Sequence, residues 1–331
     1  MADLRAGLIG LGMMGRHHAR VLGSLDGVEL VAVVDPSGDR FGAAGSRRVL
    51  DTLGELIDMG IDYCMVAVPT GLHEEVAVEL ANSGVHALIE KPLSQNLESA
   101  ERITAAFAAK DLIGGVGHIE RYNPALQQAR SRIEAGELGE IYQVATRRQG
   151  PFPGRIADVG VVKDLATHDI DLTAWVTQQD YQSVAAQTVY KSGRAHEDLV
   201  SVSGTLALGT VTNHLVNWLS PLKERTTIIT GEKGAFVADT LTADLTFYAN
   251  GEIKTTWDEI SRFRGVSEGN VIRYAFSKPE PLRLEHENFR DALLGKPSDI
   301  VTLEQGLNTV KVAEACIQAA SSGTVQHIVV E

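Results

Sequence analysis

Cysteine is almost missing from this chain: Cys64 and Cys316 are the only two in 331 residues. One lies in the apolar run over 63–68 and the other in a helix-like segment. Both read as core residues, and neither a disulfide framework nor a zinc site is expected. Long hydrophobic runs are missing too, for nothing approaches the roughly 18 apolar residues that cross a bilayer. The opening Met1-Ala2-Asp3-Leu4-Arg5 leads into a strand-like segment rather than a secretory leader, so a cytoplasmic location is expected. Positive charge is short: 30 Lys and Arg against 43 Asp and Glu leave a formal net charge of −13. Binding to nucleic acid or an anionic membrane depends on excess Lys and Arg, so the balance points to small-molecule partners and to neither of those surfaces. There is no internal repeat or low-complexity tract. Apolar residues are plentiful at 44%, enough to furnish cores for two domains.

The two parts of the chain differ in texture. Val/Ile/Leu-rich runs over 4–9, 29–34, 63–68, 87–90 and 112–117 alternate with helix-like spacing over 14–22, 53–59, 74–83 and 97–110. That alternation predicts a parallel sheet covered on both faces. Asn82-Ser83-Gly84 reads as a helix end. A helix over 124–134 follows Asn123-Pro124, and Gly136 to Gly139 breaks it. Beyond residue 140, strands over 141–146, 183–190, 199–206, 210–218, 225–230, 245–248 and 252–256 predict a mostly antiparallel sheet. Helices over 162–176, 282–294 and 304–320 are expected to cover one face of it. The other face is left for solvent or, as expected here, for a partner subunit.

The first motif is Gly10-Leu11-Gly12-Met13-Met14-Gly15, at the end of the first strand and the start of a helix. A G-x-G-x-x-G alone is weak evidence, but here Asp35 answers it about twenty residues after Gly15, at the end of the second strand. Gly10, Gly12 and Gly15 allow a tight turn, close approach to a pyrophosphate and close helix–strand packing, with the phosphate against the helix N-terminus. Met13 and Met14 complete the cofactor loop. The Asp35 carboxylate can accept hydrogen bonds from ribose hydroxyls and repel a 2′-phosphate, which predicts NAD over NADP. Arg40, Arg47 and Arg48 nearby keep NADP open. His17 and His18 receive no role. Pro69 and Thr70 end another strand and His73 starts the next helix, so this loop is expected to border the cofactor. Glu90-Lys91-Pro92 ends a further strand at the same carboxyl edge, where ligands of open α/β sheets bind. Pro92 fixes the local chain direction.

The second motif is Lys163-Asp164-Leu165-Ala166-Thr167-His168-Asp169-Ile170-Asp171-Leu172. Asp164 and His168 are four apart, so on an α-helix they share a face. A carboxylate beside an imidazole orients it and raises its basicity, which suits a general base near neutral pH. An incidental acid–histidine pair on a helix is the plainer alternative. Leu165, Leu172 and Trp175 supply an apolar stripe. A metal site with His73 and His118 as further ligands lacks any paired ligand motif, and no metal is expected.

Gly10-x-Gly12-x-x-Gly15, Glu90-Lys91-Pro92, Asp164-x-x-x-His168 and Glu285-x-x-x-Phe289 with Gly306 together resemble the Gfo/Idh/MocA (glucose-fructose oxidoreductase, inositol dehydrogenase) family. The resemblance spans essentially the whole chain. It implies an α/β protein with an N-terminal Rossmann doubly wound parallel sheet over 1–121, binding NAD. It also implies a C-terminal α+β domain over 122–331, whose large, mostly antiparallel open sheet serves substrate binding and assembly into a homodimer or homotetramer. By this resemblance Lys91 is the catalytic lysine and, with Glu90, borders the cofactor. Asp164 and His168 correspond to the acid and histidine of the family's D-x-G-x-H-x-x-D motif, and Asp171 to its last acid. Ala166 stands where the family has glycine, which narrows the pocket. The implied reaction has His168 taking a proton from a substrate hydroxyl while its carbon passes hydride to nicotinamide, with Lys91 stabilising the alkoxide and Asp164 orienting the imidazole.

Between residues 141 and 163 the chain is locally basic: Arg147, Arg148, Arg155 and Lys163 face only Asp158. Such a stretch suits a phosphorylated or nucleotide-linked sugar, because arginine offers paired donors to phosphate oxygens; solvated surface residues are the alternative. The segment from Gly117 to Pro124, with 162–171, resembles the UDP-N-acetylglucosamine 3-dehydrogenase-like branch, which acts on UDP-N-acetylhexosamines. That resemblance places Arg121, Tyr122 and Asn123 on the substrate side, with Arg148, Asp164 and His168. A dehydrogenase of free cyclitols or monosaccharides, such as inositol, is the rival reading and needs no phosphate-binding arginines. A non-catalytic dinucleotide sensor is a third, and would not need Lys91, Asp164 and His168 together.

Overall fold

The computed structural model of the protein describes residues 3–152, 154, 159–251 and 269–329. The strand expected over 252–256, and Arg155 and Asp158 of the basic stretch, lie outside them. Backbone contacts divide the chain into two units, Met1–Ile119 with Pro279–Glu314 and Glu120–Lys278 with Ala315–Glu331.

In the first unit, β1 (Leu4–Ile9), β2 (Val28–Val34), β3 (Arg48–Leu50), β4 (Tyr63–Val66), β5 (His86–Glu90) and β6 (Gly114–Gly117) form a parallel sheet in the order β3-β2-β1-β4-β5-β6. Strands such as Tyr63-Cys64-Met65-Val66 are buried along their whole length because apolar cores lie on both faces. On one face α2 (Leu53–Asp58), α3 (His73–Asn82) and α4 (Leu97–Ala108) contribute Leu56, Leu80, Ile103 and Phe107. On the other, α1 (Gly15–Leu22) contributes Ala19 and Leu22. The helix starts are written locally. Thr52 and Glu55 make a reciprocal capping box at α2, and the Asn96 side chain accepts from Ser99 N at 2.8 Å at the start of α4. β3 was not expected, since three residues are too few to display a period.

In the second unit a sheet of β7 (Ile141–Pro151), β8 (Tyr181–Val189), β9 (Leu199–Leu206), β10 (Val211–Asn217), β11 (Leu219–Gly231), β12 (Gly234–Asp239), β13 (Asp244–Ala249), β14 (Val271–Arg273) and β15 (Gln326–His327) runs in the order β14-β13-β12-β11-β7-β10-β9-β8-β15. Its neighbours are antiparallel except for the parallel β7 and β10. Burial alternates along β9, with Val200 and Val202 inward and Ser201 and Ser203 outward, as a half-covered sheet requires. The inner face is covered by α5 (Pro124–Glu134) and α6 (Thr167–Thr177), whose Leu126, Ala129, Leu172 and Trp175 join Val144, Ile229 and Phe236 in one core. On the outer face the register puts Val211, Tyr248 and Val271 in one row, with Ile228 two residues along β11 on the same face, all exposed.

Two later helices correct an expectation. The spacing over 282–294 predicts an amphipathic helix, which is found as α7 (Pro281–Leu293), but it packs in the first unit and not on the antiparallel sheet. Phe289 enters the core beside Leu88, with its ring 5.5 Å from that of Tyr63. Helical periodicity says which face of a helix is apolar, not which sheet receives it. The following segment runs beside β6, where Val116 N donates to Val301 O at 2.9 Å and Gly115 bridges to Thr302. The last helix, α8 (Leu303–Ser322), begins in the first unit and ends in the second. Among the described residues no helix is long and apolar enough to cross a membrane.

Candidate active site

In the first unit, backbone bonds gather the carboxyl ends of the strands around the glycine loop. Gly10 N donates to Val34 O and Ala67 N to Ile9 O, each at 2.8 Å. Leu11 N donates to Asp35 Oδ2 at 2.8 Å, and the other Asp35 oxygen accepts from Ser37 N at 2.8 Å. The acid at the end of β2, expected to meet ribose hydroxyls, here accepts from the backbone of the glycine loop and of its own turn. Gly10 has φ +93°, and a Cβ there would lie 2.5 Å from Ala67 O. A Cβ on Gly15 would lie 1.8 Å from Gly10 O. Both obstacles are backbone and cannot yield. At Gly12 the opposite holds: a Cβ would meet nothing within 4 Å, leaving open approach to the loop, with Met13 and Met14 exposed beside it. The start of α1 has no side-chain cap and no acid in its first turn, so its N-terminal dipole is left to an anion. These features fit a dinucleotide. Arg47 is spent on carbonyls, with Nε on Leu30 O at 3.1 Å and Nη1 on Ala44 O at 3.3 Å.

Pro69 is exposed and Thr70 opens a short 3₁₀ turn over Thr70–Leu72. His73 is turned inward. Its Nδ1 lies 3.0 Å from Pro92 O and its Nε2 3.1 Å from Val68 O, so it clamps this loop to the chain after Lys91. Burial lowers the pKa of His73, against the raising effect of those carbonyls and of Glu90. Lys91 follows β5 directly. Its N–H donates to Glu90 Oε2 at 3.1 Å, and Glu90 Oε1 lies 2.8 Å from His18 Nε2. His18, which received no role from the sequence, is thus the partner of the acid beside Lys91.

In the second unit the helix expected over 162–176 opens differently: Val162–Ala166 form a π turn that runs into α6. Glu197 holds its start, with Oε1 accepting from Val162 N at 2.9 Å and its carbonyl from Val161 N at 3.0 Å. Bonds to i+5 within the turn take Asp164 and His168 out of strict α-helical register, and such turns recur at functional sites. Both residues are buried. Asp164 lines a cavity of about 260 Å³ with Arg148, Leu165, Trp218, Lys223 and Arg225.

The expected cationic stretch does not stand as one surface. Arg147 is exposed, whereas Arg148 is buried with Nε 3.0 Å from Asp169 Oδ2 and Nη1 2.8 Å from Glu120 Oε1. Arg225 reaches the same Glu120 oxygen at 3.4 Å. Burial opposes ionisation of Glu120, yet the charges of Arg148 and Arg225 hold its pKa below the ordinary value. For Asp169 burial prevails over Arg148 and its pKa is raised. Arg121 is also committed, with Nε 2.8 Å and Nη2 2.6 Å from the two oxygens of Asp171. Asn123 caps α5, accepting from Ala125 N at 3.1 Å and donating to Thr240 O at 3.0 Å. Tyr122 is buried beside them. Sequence reasoning missed His18, Glu120, Asp169 and Glu197. Of these, Asp169 carried a signal: within one helix turn of His168 it had no sequence neighbour to neutralise it.

Residues 4–118 match the Gfo/Idh/MocA family described as "Oxidoreductase family, NAD-binding Rossmann fold", and residues 130–328 match its "C-terminal alpha/beta domain". Among curated proteins, a UDP-N-acetylglucosamine 3-dehydrogenase from Acidithiobacillus ferrooxidans is 32% identical over 216 residues, 64% of this chain and 66% of that protein. A scyllo-inositol 2-dehydrogenase (NAD(+)) from Bacillus subtilis is 30% identical over 193 residues, 55% of this chain and 56% of its own. The chain thus spans somewhat less than two thirds of the length of these curated relatives. Among solved structures, the Acidithiobacillus enzyme superposes with a TM-score of 0.84 at 26% identity, over 97% of this chain and 99% of that one. A dehydrogenase from Bordetella pertussis, solved with NADH and UDP-GlcNAcA, shares the fold with a TM-score of 0.83 at 22% identity, over 100% and 99% of the two chains.

Proposed function

The chain belongs to the Gfo/Idh/MocA oxidoreductase family, and from that premise we propose that it is an NAD-dependent dehydrogenase of a sugar ring hydroxyl, acting on a UDP-N-acetylhexosamine. NAD, when bound, takes up the hydride at its nicotinamide ring. Gly10, Gly12, Met13, Met14 and Gly15 hold its phosphates, Asp35 its ribose, and Pro69, Thr70, His73 and Glu90 shape the adjoining edge. His168 receives the proton of the substrate hydroxyl, Asp164 orients the imidazole, and Lys91 stabilises the negative charge that develops on the oxygen. Residues 1–121 then serve as the cofactor domain, with Pro279–Glu314 packed in the same unit, and the rest of 122–331 as the domain for substrate and assembly.

The observation that carries the substrate is the cavity of the second unit, where Asp164 shares a wall with Arg148, Lys223 and Arg225. Three cations around a candidate catalytic acid suit a substrate bearing phosphate. Arg121 and Asn123, tied to Asp171 and Thr240, belong to the substrate side as structural supports in this reading. A free cyclitol or monosaccharide is the second reading, favoured by the neutralisation of Arg148 by Glu120 and Asp169. The exposed Val211, Ile228, Tyr248 and Val271 of the outer sheet face support assembly into a homodimer or homotetramer. A cytoplasmic location belongs to the same reading, because the intracellular NAD pool supplies the cofactor.

The test is NADH appearance with NAD and a panel of UDP-hexoses, UDP-N-acetylhexosamines, myo-inositol and free aldoses. Turnover of the UDP-sugars, with competition by UDP, is expected. Turnover of myo-inositol or aldoses alone would keep the fold and discard the nucleotide sugar. His168→Ala is expected to lower kcat by about 10²- to 10⁴-fold with NADH affinity unchanged, and near wild-type kcat would remove its role as base. Asp164→Asn is expected to lower kcat more than it changes KM.

A further inference from the structure

Behind Lys91 the first unit buries four ionisable groups that the proposed reaction does not use directly. His18 and His286 are wholly buried, and Glu90 and Glu285 nearly so. They are linked in a line: His286 Nε2 lies 2.8 Å from His18 Nδ1, and His18 Nε2 lies 2.8 Å from Glu90 Oε1. The remaining Glu90 oxygen accepts the Lys91 N–H at 3.1 Å. His286 comes from α7, the helix that returns to this unit from the far side of the intervening 159 residues of the second, Glu120–Lys278.

One assignment of protons fills the line with one hydrogen per contact. His286 Nε2–H donates to His18 Nδ1, and His18 Nε2–H donates to Glu90, leaving both rings neutral and Glu90 charged. The surroundings agree. Burial, and then the proximity of His18, hold His286 well below the ordinary histidine range. Glu285, whose two oxygens meet no hydrogen-bond partner among the described residues, is raised well above the carboxylate range by burial and by the charge of Glu90. Of two neighbouring buried carboxyls, the surroundings thus disfavour the charge on Glu285 and favour it on Glu90. A core that needed only filling would be served as well by apolar side chains, since a buried ionic pair is weak evidence of stabilisation.

We infer that His18 and His286 are positioning residues for Lys91, acting through Glu90: the histidine line fixes the orientation and the single negative charge of the carboxylate from which Lys91 emerges. The titratable groups facing Glu90 are His18 on α1, Lys91 next in the chain, His73 at the start of α3 and Glu285 on α7. His17, next to His18 on α1, and His286 complete the surroundings of His18. Burial works to raise Glu90, but the His18 hydrogen bond, the proximity of His18, the charge of Lys91 and the Lys91 N–H together bring it below the ordinary value. With His18 removed, only burial and the weaker Lys91 contributions remain, and Glu90 takes up a proton at higher pH. The acid limb of the pH–rate profile then moves upward.

The inference rests on the assignment of Lys91 to the hydride-transfer reaction, and the experiment separates the two. In wild type, H18L, H18Q, H286L, E90Q and H18L/E90Q, kcat, KM and NADH affinity are measured across pH. The Glu90 carboxyl is followed by ¹³C NMR, with its signal assigned by loss in E90Q. H18L is expected to lower kcat by about 10- to 100-fold with NADH affinity nearly unchanged, and to move the acid limb up by about one pH unit or more. H18Q, whose amide can still donate to Glu90, is expected to recover much of both, and H286L serves where H18L folds poorly. H286L is expected to repeat H18L more weakly, and H18L is expected to add little in the E90Q background. An unmoved acid limb and Glu90 titration in H18L and H286L, or multiplicative effects in H18L/E90Q, would overturn the inference while leaving the dehydrogenase reading intact. A wild type that binds NADH and turns over no sugar, with Glu90 titration still governed by His18, would sink that reading and keep the coupling.

Discussion

In the first unit the buried acid Glu90 is held by an imidazole and a backbone N–H. In the second, the buried acids Glu120, Asp169 and Asp171 are held by the guanidinium groups of Arg148 and Arg121. A guanidinium keeps its proton at any pH the protein meets, so the cation of each pair is permanent as long as the fold is. An imidazole line keeps its arrangement only for one count of protons. The second unit thus uses buried charge as rigid wall, whereas the first holds it in a line of protonatable groups beside Lys91.

The sharpest way to break this contrast is Arg148→Met. It leaves Glu120 and Asp169 buried without their shared cation, and is expected to cost about 3–5 kcal/mol in urea unfolding. Adding Glu120→Gln and Asp169→Asn should recover much of the loss. A loss below about 1 kcal/mol would mean that water already screens the pair. The second unit also buries a histidine, His214, away from its guanidinium pairs. His214 lies with Nδ1 2.8 Å from Thr146 Oγ1 and Nε2 2.8 Å from the Tyr181 hydroxyl, and burial lowers its pKa from 6.5 to about 4. Its folded pKa is below its unfolded one, so the unfolded chain binds the extra proton in the window between. Stability is therefore expected to fall as pH drops from about 6.5 to about 4, with up to ~3 kcal/mol traceable to this residue. His214→Gln should flatten that part of the unfolding free energy against pH, and an unchanged slope would assign it to other groups.

Helix caps extend the comparison at smaller size. Asn123 is a buried cap of α5 that also satisfies Thr240 O, so Asn123→Ala is expected to cost about 2 kcal/mol by the orphaned carbonyl as well as the lost cap. Thr52 caps α2 at the surface, where water can replace it, and Thr52→Ala is expected to cost about 1 kcal/mol in thermal unfolding. Equal losses at the two caps would show that burial of Asn123 adds nothing.

The parallel sheet was legible because each strand pairs with chain of the same texture, and because Gly10, Gly15 and Asp35 occupy positions that few residue types can fill. Most antiparallel strands were legible from their alternation, but β12, β14 and β15 were not. β12 joins β11 through the two-residue turn Glu232-Lys233, and β14 and β15 are three and two residues long. Asp164 and His168 could be picked out, while the π turn that carries Asp164 and leads into the helix of His168 could not, since Glu197, which holds its start, arrives from elsewhere. The pairings of Arg148 and Arg121 were hidden for the same reason: sequence displays a cation, and only the fold supplies the acid that answers it. His18 was visible and unassigned because its partners stand 72 and 268 residues away.

The return of the chain to the first unit has a consequence for its birth on the ribosome. The parallel sheet is complete in strands by Gly117, but the side chain that fills its core beside Tyr63, and the backbone that lies along β6, are encoded at Phe289 and Val301. At about 5–20 residues per second, the nascent sheet waits roughly 10–40 s with an open edge and an unfilled face while the second unit is synthesised. A fragment ending at residue 119 never receives either, and is expected to be a client of chaperones, not a free-standing dinucleotide domain.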